Sequence, residues 1–100
     1  MQSKKKQEII EAIKEMAPLL NSFEQIYLFG SILDANKPSC DIDILIVYSK
    51  YTIDTKLEIK EFCDIIEKKA NLPVDLTVLS LEEMKETKFL NRIKANYKIK

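Results

Sequence analysis

The chain has no histidine. Without imidazole, His-based acid–base catalysis and His-ligated metal sites are excluded. It has 1 glycine, Gly30, so a phosphate loop built from several glycines is excluded as well. Its 2 cysteines, Cys40 and Cys63, are too few for a disulfide scaffold or a four-thiolate zinc site. Free thiols suit a reducing compartment, and a cytoplasmic location is expected. No apolar run approaches the roughly 20 residues of a membrane span. The N-terminal lysines are not followed by the apolar stretch of a secretory signal. Neither sign of charge dominates, since Lys plus Arg is 16 and Asp plus Glu is 16. That balance argues against strong nucleic-acid binding but leaves room for a local nucleotide site. A length of 100 residues, 46% hydrophobic and 32% charged, suits a single domain spanning 1–100.

What is present reads as alternating elements. Ser3 to about Ala17 is a predicted helix, capped by Ser3, with Ile9, Ile10, Ile13 and Met16 on one stripe. Pro18 ends or kinks it. Gln25–Phe29 is an apolar, β-prone run stopped by Gly30. Ser31 to Ala35 forms a short turn, and Asn36 to Ser39 a loop. Asp41–Tyr48 is a second strand, and a long helix runs from Thr52 or Asp54 to about Lys69. Leu57, Phe62, Ile65 and Ile66 supply its apolar face, and Cys63 packs there as a small hydrophobe. Val74–Leu79 is the third strand. Ser80 and Glu83 form a capping box for a last helix, with Phe89, Leu90 and Ile93 on its inner face. The alternating tail, Tyr97 to Lys100, suits a short edge strand. This order predicts an α+β fold, a small mixed β-sheet with helices packed on one face. Lys4, Lys5 and Lys6, with Lys94, Lys98 and Lys100, read as solvated element ends. The four tyrosines, Tyr27, Tyr48, Tyr51 and Tyr97, read as packing residues.

Three features point to chemistry. Gly30-Ser31 follows a buried strand, where the missing Cβ lets backbone approach a ligand and the serine hydroxyl can hold a phosphate oxygen. Asp41 and Asp43 are two apart on a strand, so both carboxylates share a face while Ile42, Ile44 and Ile46 fill the other. Paired carboxylates repel unless a cation joins them, and Mg²⁺ takes such oxygen ligands. Asp75 interrupts Val74, Leu76 and Val78, so it faces the side that the acid pair can share. Each feature alone fits a plainer role: a strand-ending turn, a solvated strand end, an exposed strand residue.

Together they form an ordered unit, LFGSILDANKPSCDIDILIV. It resembles the minimal nucleotidyltransferase domain of the DNA polymerase beta-like superfamily: an apolar strand, Gly-Ser, a spacer (here residues 32–40), then Asp-apolar-Asp. The third family carboxylate matches Asp75. The resemblance covers nearly the whole chain and implies a polymerase beta palm-like nucleotidyltransferase fold. It implies Asp41, Asp43 and Asp75 as catalytic metal ligands for two Mg²⁺ ions, with Gly30 and Ser31 binding the phosphates of ATP or another nucleoside triphosphate. Relatives often carry an arginine after Gly-Ser; Ile32 and Leu33 stand there instead, and Lys37 is the candidate cation. Stand-alone domains of this kind are commonly antitoxins that transfer AMP to a HEPN-type toxin, an RNase, and silence it. The resemblance therefore implies a protein partner whose hydroxyl accepts AMP. A small-molecule acceptor and non-catalytic neutralisation by binding remain alternatives.

Overall fold

The computed structural model describes residues 3–34, 36–93 and 95–100. The expected Ser3 side-chain cap, the turn's end at Ala35 and the solvated Lys94 lie outside what is described. Helix α1 (Ser3–Met16) buries Ile9, Ile10 and Ile13, and the chain leaves it through a 3₁₀ turn at Ala17–Leu19 that contains Pro18. Strand β1 (Gln25–Phe29) follows, then β2 (Ile42–Tyr48), α2 (Ile53–Ala70), β3 (Val74–Ser80), α3 (Leu81–Thr87) and β4 (Asn96–Lys98). The four strands form one sheet in the order β3-β2-β1-β4. β1 runs antiparallel to β2 and to β4, while β2 and β3 are parallel. The sheet is therefore mixed, and α2 is the crossover that a parallel pair requires.

Strand alternation divides the core between two faces. Ile42, Ile44 and Ile46 are fully buried and join Ile9, Ile13, Phe62 and Ile66 in the main cluster. Each such side chain contributes about 1.5–3 kcal/mol through burial. On the opposite face Tyr27, Leu45 and Val47 pack with partly buried Phe29, Leu79, Met84, Phe89 and Leu90. The α+β mixed sheet is as expected, with α1 and α2 on one face; the helices are not confined to that face, because α3 packs Met84 against Leu45 and Val47 on the other.

Several boundaries differ from the sequence reading. Asp41 lies one residue before β2 rather than in it. Helix α2 turns Phe62, Ile66 and Ala70 inward, with Ile59 and Cys63 partly buried beside them, and leaves Leu57 57% and Ile65 43% exposed. Leu57 is five residues from Phe62, about 140° round the helix, so the two cannot share an inner face. Its start is sharp, because Thr52 and Thr55 form a reciprocal capping box. The expected Ser80–Glu83 box is present on α3. That helix stops early, because Lys88 adopts a left-handed conformation with φ 51°. Phe89 and Leu90 thus pack from a 3₁₀ segment, Phe89–Arg92, rather than from the helix. The edge strand at the tail is present but begins at Asn96 and ends at Lys98.

Candidate active site

The site grows from the end of β1. Gly30 has φ +77° and opens a 3₁₀ turn, Gly30–Leu33. A Cβ built on it would lie 2.2 Å from Asp43 Oδ2. Any side chain at this position would meet both the left-handed backbone penalty and a collision with that carboxylate. The single glycine of the chain therefore marks where backbone is pressed against an acid.

Three carboxylates meet there. In the sheet register Phe29 lies opposite Asp43 on one side and Asp75 opposite Asp43 on the other. Asp41, two residues before Asp43, adds a third. One oxygen from each of Asp41, Asp43 and Asp75 falls within 4.8 Å of the others. The expected acids are thus brought together across two parallel strands. Asp41 and Asp43 are half-buried, and Asp75 is exposed on β3, the edge strand. Glu67 anchors the start of that strand, its Oε2 accepting the Val74 amide at 3.0 Å. Asp43 is pushed up to about 6, first by burial, then by the charges of Asp41 and Asp75 and a hydrogen bond with Asp75. A divalent cation relieves that kind of crowding, and a set of three carboxylates suits Mg²⁺ by donor type.

Beside the acids lies a cavity of about 570 Å³ lined by Phe29, Gly30, Ser31, Leu33, Asp34, Lys37, Ile93 and Ala95. That volume falls within the ordinary range for small-molecule sites. Gly30 belongs to both features, touching Asp43 and lining the cavity. Ser31 lines it as expected, and so does Lys37, the cation named from the sequence.

One residue of this region was not anticipated. Lys6, expected to be solvated, is 3% exposed. Its Nζ donates to the backbone carbonyls of Ser31 at 2.8 Å, Asp34 at 2.5 Å and Lys37. The available signal was its place on the α1 stripe, three and four residues before Ile9 and Ile10.

A mixed sheet with a glycine-ended strand and clustered acids on two neighbouring strands is the architecture of a nucleotidyltransferase-type domain. The family described as Polymerase beta, Nucleotidyltransferase matches residues 11–99, and the chain belongs to that family. Among solved structures it is similar to a "putative nucleotidyltransferase" from Sulfolobus solfataricus, with 21% identity and a TM-score of 0.58 over 98% of this chain and 86% of that one. A second, also named a "putative nucleotidyltransferase", is 27% identical with a TM-score of 0.50 over 88% of this chain and 94% of that one. Among curated proteins none matches.

Proposed function

We propose that the domain transfers AMP from ATP to a hydroxyl of a partner protein. The convergence of Asp41, Asp43 and Asp75 within 4.8 Å is the observation that carries the reading. These three residues would hold Mg²⁺, two ions if the family pattern applies, and Gly30 and Ser31 would position the phosphates from the adjoining cavity. Magnesium bound there supplies charge stabilisation for the triphosphate and lowers the proton affinity of the attacking oxygen. The acceptor hydroxyl attacks the α-phosphorus, a new O–P bond forms, and the bond to the bridging oxygen of pyrophosphate breaks. Asp75, exposed on the edge strand and therefore facing the acceptor's approach, takes the hydroxyl proton.

The open side at β3 supports a macromolecular acceptor, since the partner's own surface can complete the site there. An antitoxin role against a HEPN-type toxin follows the family resemblance. A cytoplasmic setting fits the two free thiols. No helix among the described residues is long and apolar enough to cross a membrane.

The test is a transfer assay with Mg²⁺, ATP labelled at the α-phosphate and the product of the neighbouring gene, with Asp43→Asn in parallel. Label is expected on the neighbour with wild type only. A stable complex without label would replace catalysis by neutralisation through contact. Label on an added small alcohol but not on the protein would shift the acceptor class.

A further inference from the structure

We propose that Lys6 is a positioning residue that holds the loop from Ser31 to Lys37 in the shape of a nucleotide site. The inference rests on the nucleotide reading of the adjoining cavity. An ammonium group has three N–H donors and no acceptor. Here the three donors meet three backbone carbonyls, those of Ser31, Asp34 and Lys37. A buried charge is tolerated only when its hydrogen-bonding capacity is met, and this tripod meets it in full.

The three carbonyls are spaced three residues apart, so a single side chain grips the loop at its start, middle and end. All three residues line the cavity beside Gly30. Among the described residues of this stretch, Asp34 N donates to Ser31 O at 3.1 Å, Lys37 N to Asp34 O at 3.3 Å and Asn36 N to Asp34 Oδ1 at 2.9 Å. Lys6 comes from the first helix, whose Ile9 and Ile13 are fully buried beneath the sheet. Its Cα is therefore fixed to the core, and through its ammonium the loop is fixed as well. The local bonds of the segment tie it only to itself, and the Lys6 tripod ties it to the first helix.

The test compares wild type with Lys6→Met, which keeps the length and apolar stem but removes all three hydrogen bonds donated to the loop; Ser31 O and Asp34 O keep only their backbone partners. Two quantities are read: amide hydrogen exchange in the ligand-free protein, and affinity for ATP with Mg²⁺ by titration of a fluorescent ATP analogue. Exchange is expected to rise about tenfold or more across residues 31–37 while β1 and β2 keep wild-type protection, and affinity to fall about tenfold or more. Lys6→Gln retains two donors and is expected to fall between; it carries the same comparison should Lys6→Met not fold. Unchanged exchange across 31–37 would overturn the proposal. So would a rise spread evenly over the sheet, because Lys6 would then be a general stabiliser. Wild type that binds no nucleotide would remove the functional reading, while the local exchange comparison would still decide whether Lys6 orders the loop.

Discussion

Burial, and after it the charges of Asp41 and Asp75, push the Asp43 carboxyl up from its ordinary 3.8 to about 6. The consequence for stability has a definite sign. Below pH 3.8 both folded and unfolded chains hold this proton, and the site carries no penalty. Between 3.8 and about 6 the folded chain binds more protons than the unfolded one, so stability falls as pH rises. Above that window both forms are ionised and the penalty is complete. Solvent screening of this partly open group limits it to about 1 kcal/mol. Denaturant unfolding of metal-free protein from pH 4 to 7 is expected to show this loss in wild type and not in Asp43→Asn, the difference between the two isolating Asp43 from other carboxylates. Equal profiles would mean that the acids do not crowd one another. Asp43 could be placed from the sequence, because strand alternation sets it on the opposite face from Ile42 and Ile44; the same reading puts Asp41 in that strand, but it lies one residue before it. For Lys6 the stripe position hinted at burial, but its role could not be read, because its partners lie 25 to 31 residues away.

At the scale of elements, α2 decides whether the site forms. It connects the parallel strands β2 and β3, and its length and rotation set the register that places Asp75 opposite Asp43. Phe62 is its deepest anchor, in edge-on contact with Phe23 at 6.0 Å between ring centres. Phe62→Ala is expected to cost about 3–5 kcal/mol in chemical unfolding, whereas Leu57→Ala, on the outer side, is expected to cost under about 0.5 kcal/mol. Similar costs for the two would mean that α2 is rotated from the position described. The sequence contains apolar residues on both sides of this helix, so periodicity alone did not select the inner set. Packing against Ile42, Ile44 and Ile46 selects it. The acid register belongs to the same category. A carboxylate in a strand is visible in the sequence, but its neighbour across a parallel crossover is set by how the intervening helix docks.

The whole molecule is thin. Its extents are 36 × 28 × 19 Å, with a radius of gyration of 13.1 Å, near the roughly 13 Å of a well-packed chain of this length. The short axis accommodates one sheet with one helical layer, α1 and α2, and the residues of the C-terminal segment cover only part of the other face. The carboxylates lie on that second face, at the junction of β2 with the edge strand β3, with the cavity on the Gly30 side and open solvent on the Asp75 side. Under the proposed function the cavity takes the nucleotide and the open side takes the acceptor. The central claim is that Asp41, Asp43 and Asp75 act with Mg²⁺ to bind a triphosphate. It is tested most directly by calorimetric titration of the protein with a non-hydrolysable ATP analogue, with and without Mg²⁺, in wild type and Asp43→Asn. The account predicts saturable binding that requires the metal and weakens about tenfold or more in the variant, whose fold is unchanged. Binding indifferent to both Mg²⁺ and Asp43, or no binding at all, would contradict it.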